Sequence, residues 1–599
     1  MLKKFKILCV NKNYNSLFIL FLGLIIAALL ELIGIGSIPI FVMLITDINL
    51  LKSKLPSFIN LEIIDAFNTN NLIFFGAISL TLIFIIKNLY LSLIIYYQGI
   101  VFKNLRINLS SELFSLYTKT KYAFHLQNNP AILLRNIEGE ASRAITVIQS
   151  IISLFKELLI LLVIFSLLLF ADPVISLLAF LFLSFFVGIF YLATNKKILK
   201  NGKIIQFIRG EQVKHINHSF GAIKEVKILS KENFLYKIFL KNVNIFENAY
   251  LINYFLTSLP RLFLEVIVIS TLIIVVTIFI YFDRNINSLI PLLSLLVIAA
   301  VRLMPAFNTI STSLARLRDL SPSYNLVAEE IARLQNQRTK FIKNEDKRLS
   351  FENSILMNNI FFKYEKSEKY ALENLKLNIK AGSKIGIIGN SGAGKSTFVD
   401  LILGLLIPTK GVIEVDNKDI NINLKGWQNL IGYVPQDIYL LDETIQNNIA
   451  FGVNEELFEE KKFQKAIKIA QLDKFIEGLK SGKQTMIGNR GVRLSGGQRQ
   501  RIGIARALYN DKKILVFDEA TNSLDLENEK KIIENIFSID SSKTLFLVTH
   551  RHETVKNCDE VLLFNEGKLI DQGKYDYLNK KYNLTVFIEK KDTPIEKLL

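Results

Sequence analysis

KIGIIGNSGAGKSTFVDLILGLL, residues 384–406, decides how the C-terminal part of this chain folds. Lys384–Ile388 is a short apolar run that reads as a buried strand. A Gly-x4-Gly-Lys-Ser loop follows, from Gly389 to Ser396, and the chain then takes helical patterning. Strand, glycine-rich loop and helix start together form an anion cradle. The glycines let backbone N–H groups close around phosphates, and the helix start adds the positive end of its dipole. In this reading Asn390, Ser391, Gly392, Ala393, Gly394 and Thr397 wrap a nucleotide's phosphates. Lys395 reaches the β- and γ-phosphates, and the Ser396 hydroxyl ligates Mg²⁺.

Two stretches further on extend the reading. In KKILVFDEATNSLD, residues 512–525, an apolar strand ends in Asp518 and Glu519. The first acid suits Mg²⁺. The second sits where a general base would polarise an attacking water. LSGGQRQR, residues 494–501, is a Ser-Gly-Gly turn opening a helix, a second anion-binding helix start.

Five motifs in this order resemble the nucleotide-binding domain of ATP-binding cassette (ABC) transporters, from about Asn353 to Gly573. They are the phosphate loop, Gln436 in YVPQDIYLL, the LSGGQ signature, LVFDEATNSLD, and His550 in LVTHR. The resemblance implies further roles. Tyr364 in FFKYEK would stack on adenine. Gln436 would contact Mg²⁺ and the attacking water, and His550 would hold the γ-phosphate. Ser495, Gly497 and Gln498 would bind the γ-phosphate of ATP held by a second subunit. One cassette per chain then implies a homodimer with two hydrolytic sites. One departure concerns TMIGNRG, residues 485–491, where Asn489 stands in place of the family's usual glutamate.

Outside this domain the composition changes. The 599 residues are 50% apolar and carry a formal net charge of +18. Mean hydropathy is +0.33, too apolar for an ordinary soluble enzyme. A nucleic-acid binder would explain the charge but not the apolar runs. Six stretches are long and apolar enough to span a bilayer, near 17–46, 72–98, 144–170, 173–195, 250–282 and 287–316. The first is too long for the core of a cleaved signal peptide. Cys9 and Cys558, far apart, make no disulfide framework.

The polar segments between the second and third spans and between the fourth and fifth are rich in Lys and Arg. That places them, both termini and the cassette in the cytosol of a bacterial cytoplasmic membrane protein. Asp172 and Pro173 mark a tight turn. Leu55, Ile59, Ile63 and Phe67 recur at helical spacing in the first outer loop, as either a packed loop helix or a membrane-surface helix.

The expected organisation is a transmembrane domain over 1–335, a linker over 336–350, a cassette over 351–585 and a tail over 586–599. The fold class is six membrane helices joined to an α/β phosphate-loop domain. Six helices fused ahead of one cassette resemble an ABC exporter half-transporter. Its coupling helices would lie near KYAFHLQNN (121–129) and LSKENFLYK (229–237). The fused order favours export or flipping over import.

Three cations fall inside the apolar runs, where a charge is costly and usually functional. They are Lys87 in LIFIIKNLYLS, Arg261 in LTSLPRLFLEV and Arg302 in VIAAVRLMPAFNTIS. Lys87 and Arg302 lie ~21 Å along their helices from the outer ends, at ~1.5 Å per residue. Glu31 and Glu265 are available as intramembrane acids, and Glu265 is one turn from Arg261. Three cations against two acids leave a positive surplus, which points to an anionic substrate in a shared cavity. SLPRLFLE, VRLMPAFNTI and NPAILLRNIEGEASRA also resemble bacterial lipid-linked oligosaccharide flippases. The expectation is thus an ATP-driven flippase for a polyprenyl-diphosphate-linked saccharide. The alternative is an exporter of drugs, peptides or ordinary lipids. A channel that uses ATP only for gating would be expected to lack Glu519 or to carry a degenerate signature.

Overall fold

The structure, a computed structural model, describes residues 2–8, 14–46, 48, 68–171, 173–281, 286–339, 349–365, 367–488, 491–521, 526–549 and 551–584. The chain divides into two compact units. One comprises Met1–Thr120 and Phe124–Phe341, the other Lys121–Ala123 and Ile342–Leu599.

The first unit is helical. Its six long helices are α1 (Tyr14–Thr46), α2 (Thr69–Lys119), α3 (Ala141–Ala171), α4 (Pro173–Gly221), α5 (Glu232–Tyr281) and α6 (Ile286–Asp319). Each covers one of the six expected spans. Among the described residues, four helices are long and apolar enough to cross a membrane. They correspond to α1, to α2, to α3 with the short helix before it, and to α6. Several helices run far past a bilayer's thickness: α2 has 51 residues, α4 49 and α5 50. A connector helix, α7 (Ser321–Thr339), follows α6.

Small residues let α1 and α2 pack closely. A Cβ on Gly23 would lie 2.5 Å from Ile94, and one on Gly76 3.1 Å from Leu44. In lipid, where apolar burial drives helices together weakly, such close approach supplies the packing that association needs. Residues of α1, α3 and α6 share a core that includes Ile35, Ile160, Ile164 and Leu296.

Between α2 and α3 lie two short helices, Tyr122–Gln127 and Pro130–Arg135. The first falls in the first expected coupling segment. In the second expected segment Glu232 already starts α5, and the short helix Ile223–Ile228 precedes it. Ser230 between them takes φ 50°, a turn conformation that ends the short helix. Asn136–Glu140 forms a single π-helical turn just ahead of α3. It sets Glu140, fully buried, 3.8 Å from Arg143 and 4.0 Å from Arg135. The expected outer-loop helix with Leu55, Ile59, Ile63 and Phe67 lies outside the described residues, as does Asp172.

The second unit is α/β, and strands β1 to β10 are Ser354–Phe362, Leu372–Lys380, Lys384–Gly389, Lys410–Val415, Lys418–Asp419, Ile431–Val434, Ile514–Asp518, Thr544–Val548, Glu560–Asn565 and Lys568–Gly573. Helices α8 (Lys395–Ile402), α9 (Gly496–Tyr509) and α10 (Leu526–Phe537) are those the site uses. An antiparallel sheet runs β2-β1-β4-β5, and a six-stranded sheet runs β10-β9-β3-β8-β7-β6. In the latter, β9, β3, β8, β7 and β6 are parallel. Strands β7 and β8 are buried along their whole length, as the unbroken apolar runs ILVFD and TLFLV require. Parallel pairing brings the ends of β3, β8 and β7 to one edge of the sheet, where ligands of open α/β sheets bind.

Candidate functional site

The phosphate loop leaves β3 at Gly389, whose φ is 155°. A Cβ there would lie 2.3 Å from the Phe564 carbonyl oxygen, so the position tolerates nothing larger. Gly394, at φ 97°, turns the chain into α8. Lys395 is buried, and its Nζ donates to the Gly389 and Asn390 carbonyls at 2.8 and 2.9 Å. Burial lowers its pKa, opposed by the nearby Glu519 and Asp518 carboxylates. Among the described residues, the buried Asn390 Oδ1 has no hydrogen-bond partner. Tyr364 packs edge-on against Phe362, with 5.0 Å between ring centroids, and its hydroxyl lies 3.1 Å from Thr397 Oγ1.

Asp518 ends β7 and is buried. Burial first, and the Glu519 charge second, push its carboxyl up. The Tyr433 hydroxyl donates to Asp518 Oδ2 at 3.5 Å. Glu519 takes φ 50°, a left-handed conformation rare for this residue type and common at functional turns. Its backbone N–H is held by the Val548 carbonyl at 2.9 Å, and Gln436 Nε2 donates to Glu519 Oε2 at 2.9 Å. The structure thus brings Gln436 directly to the expected general base.

The signature forms the start of α9. Ser495 is its N-cap, and the capping box is complete. Ser495 Oγ accepts from the Gln498 backbone N–H at 3.2 Å, while Gln498 Oε1 accepts from the Ser495 N–H at 2.9 Å. The Gly496 and Gly497 N–H groups sit in the first turn, and Ser495 is exposed. His550 and Asn489 lie outside the described residues. The flanking Arg551 pairs with Glu529 of α10, which also accepts from Thr521 Oγ1 at 2.8 Å.

These residues fit a Mg²⁺-nucleotide. A lysine whose donors reach only loop carbonyls is relieved by phosphates, and an acid pushed up by burial and by the Glu519 charge is relieved by a divalent cation. Among the described residues, no cluster of three or more His, Cys, Asp or Glu side chains could hold a metal alone. Ser396, Gln436 and Asp518 would hold Mg²⁺ only with phosphate oxygens completing its shell, the usual arrangement for this ion.

The membrane cations differ from expectation. Lys87 and Arg302 converge on one buried carboxylate, Glu31 of α1. Lys87 Nζ lies 3.4 Å from Glu31 Oε2, and Arg302 Nε lies 2.5 Å from Glu31 Oε1. Lys87 is sealed in: a Cβ on Gly34 would lie 3.1 Å from its Cδ, and its ammonium sits 4.3 Å from the Phe84 ring centroid. The expected cavity lined by Lys87, Arg261 and Arg302 is corrected to this extent: two of the three cations share an acid. The physical reason is the close approach of α1 to α2 at Gly34, which carries Lys87 inward to Glu31. Arg261 lies in α5, and its side chain is outside the described residues. A cavity of about 450 Å³ opens elsewhere in this unit, beside Lys103 and Arg106.

Comparison with known proteins places this geometry. Residues 372–522 match the ABC transporter family. The alpha-hemolysin translocation ATP-binding protein HlyB of Escherichia coli is 42% identical over 225 residues, 37% of this chain and 32% of that protein. The leukotoxin translocation ATP-binding protein LktB of Mannheimia glucosida is 41% identical over 233 residues, 39% of this chain and 33% of that protein. The chain spans about a third of the length of these curated relatives. A bacterial Atm1-family ABC exporter solved with ATP bound superposes with a TM-score of 0.74 at 21% identity, covering 96% of this chain and 98% of that one. The fold is therefore that of the ABC exporters: a helical membrane domain followed by one ABC cassette. In chain terms it is that of an exporter half-transporter, with the ABC transporter match inside the second unit.

Proposed function

We propose that this protein is an ATP-driven exporter that works as a homodimer in a bacterial cytoplasmic membrane, with the cassettes and both termini cytosolic. The observation that carries the reading is Glu519, held by Gln436 beside the buried Asp518 at the sheet edge where the phosphate loop opens. Asp518, Ser396 and Gln436 would hold Mg²⁺, whose charge would offset that developing on the phosphates. Lys395 exchanges its two loop carbonyls for phosphate oxygens. Glu519 takes the proton of the attacking water, and His550 fixes the γ-phosphate. Ser495, Gly497 and Gln498 of the second subunit close the site.

For the cargo, the named relatives translocate alpha-hemolysin and leukotoxin. That supports the general exporter reading, of peptides, drugs or ordinary lipids, above a dedicated saccharide flippase. Those relatives match over 225 and 233 residues, under two fifths of this chain. One observation in the membrane unit favours a second reading. Glu31 neutralises only one of the two cations it touches, leaving one positive charge within this group of three side chains. An amphiphile with an anionic headgroup, such as a polyprenyl-diphosphate-linked saccharide, complements that charge. The deciding experiment is transport by reconstituted proteoliposomes supplied with Mg²⁺-ATP. Fluorescent polyprenyl-diphosphate saccharide, a phospholipid, a peptide and a cationic dye serve as cargoes. ATP-dependent movement of any of them supports export, and the preferred cargo selects the reading. No ATP-dependent movement and no cargo-stimulated ATPase would overturn it.

A further inference from the structure

Glu31, Lys87 and Arg302 come from three helices, α1, α2 and α6, and the three side chains are not equivalent. Glu31 and Lys87 are 5% and 9% exposed, whereas Arg302 is 30% exposed. Lys87 is walled in by Gly34 and Phe84, so it has nowhere else to go. Arg302 meets Glu31 only through Nε, the nitrogen at the base of its fork, and that approach is not aligned as a hydrogen bond. Among the described residues, Glu31 is the one ion-pair partner of Arg302, and its terminal nitrogens make no hydrogen bond. Those two nitrogens are the ones that bind two oxygens of a phosphate at once.

We infer that Glu31 is an exchangeable counter-ion: the anionic headgroup of the cargo takes Arg302 from it, and Glu31 then rests on Lys87 alone. This inference rests on the second cargo reading, an anionic amphiphile. In the resting chain the carboxylate shields both cations and keeps Arg302 from holding stray anions. On binding, the headgroup brings its own charge, Arg302 turns its fork to it, and the Glu31–Lys87 pair stays neutral. When the headgroup leaves, Glu31 recaptures Arg302. No bond forms or breaks; the step is an exchange of ion partners. Glu31 thereby sets affinity from behind the site without touching the cargo. It is a positioning residue that keeps binding weak enough for release.

The test measures binding of dodecyl phosphate to the full-length protein in phosphatidylcholine nanodiscs. Arg302→Gln serves as the zero, which removes any binding at the phosphate loop. Glu31→Gln frees Arg302 and should bind the probe roughly ten times more tightly than the native chain. Lys87→Met leaves Glu31 with Arg302 as its sole partner and should bind roughly ten times more weakly. The double variant, with no carboxylate left to compete for Arg302, should stay tighter than the native chain, as Glu31→Gln does. These opposite shifts separate ion exchange from simple misfolding, which would weaken all variants alike. Inorganic pyrophosphate is run in parallel. Equal affinity and the same Glu31 dependence would make the ligand a free anion, with the exchange intact. If the native chain binds dodecyl phosphate and Glu31→Gln leaves affinity unchanged or lower, the exchange is overturned while the anionic-cargo reading stands. If the native chain binds neither anion but does bind uncharged dodecanol, both are overturned.

Discussion

Glu519 faces Gln436 with its backbone in a left-handed turn, a conformation worth keeping only if the carboxylate must point where it does. Glu519→Gln should therefore bind ATP with little change while phosphate release slows by about 10²–10⁴-fold, the usual loss for a general base. Equilibrium nucleotide binding and steady-state ATPase, measured side by side, check this. Asp400, on α8, offers a pH test. Burial first and the Asp518 charge second push its carboxyl up to about 6. A carboxyl whose folded pKa lies above its unfolded value binds its proton more tightly in the native state. Its contribution is full below the unfolded value, about 4, and is lost as pH rises toward 6. Thermal unfolding followed between these two values should show a smaller fall in Tm for Asp400→Asn than for the native chain. At this scale the sequence was highly legible. Chemistry ties Lys395, Ser396, Asp518 and Glu519 to fixed places in short motifs. It was least legible for Glu31, because spacing along three separate helices does not say which acid meets which cation.

Among the elements, α9 separates two roles of one residue. Ser495 caps its own helix, and in the proposed dimer it also meets the partner's nucleotide. Ser495→Ala should cost ~1 kcal/mol of cap stability and lower the Tm, whereas Ser495→Asn, an equally good cap, should not. Both should lose most ATPase activity if the hydroxyl also serves the second site. In the membrane unit, Gly34→Val drives two methyl groups toward the Lys87 chain, already 3.1 Å from a Cβ. Overpacking of that kind typically costs ~1–3 kcal/mol, and a lower unfolding temperature in nanodiscs is the expected readout. The six long helices were readable because hydrophobic length is a strong signal. The break inside the second expected coupling segment was not readable, because Ile223–Ile228 and α5 share one continuous helical pattern and only the turn at Ser230 divides them. The π-turn at Asn136–Glu140 has no sequence signature: one extra residue in a helical turn leaves the apolar pattern around it unchanged.

The whole molecule carries one phosphate loop and one signature, and the signature's cap is satisfied within its own chain. A complete ATP site in the proposed homodimer pairs each loop with the other chain's signature. Cysteines at Ser495 on one tagged chain and at Ser391 on another should form a disulfide between the chains when ATP is present. Disulfides confined to single chains would defeat the two-site arrangement. Half-and-half mixtures of native and Glu519→Gln chains should likewise show mixed dimers with one disabled site.

At Gly23, Gly34 and Gly76, α1 and α2 touch backbone to side chain with no slack between them. Two rods glued at three points along their length behave as a laminated beam, which resists flexing far better than either rod alone. A push that reaches α2 at Tyr97, where its contact with α1 begins at Ser16, would then travel along the pair to Lys87 with little lost to bending. The same lamination makes the pair a poor hinge. In the proposed transport cycle, joints that open and close would belong elsewhere in the bundle, with α1 and α2 as the stiff member against which they work.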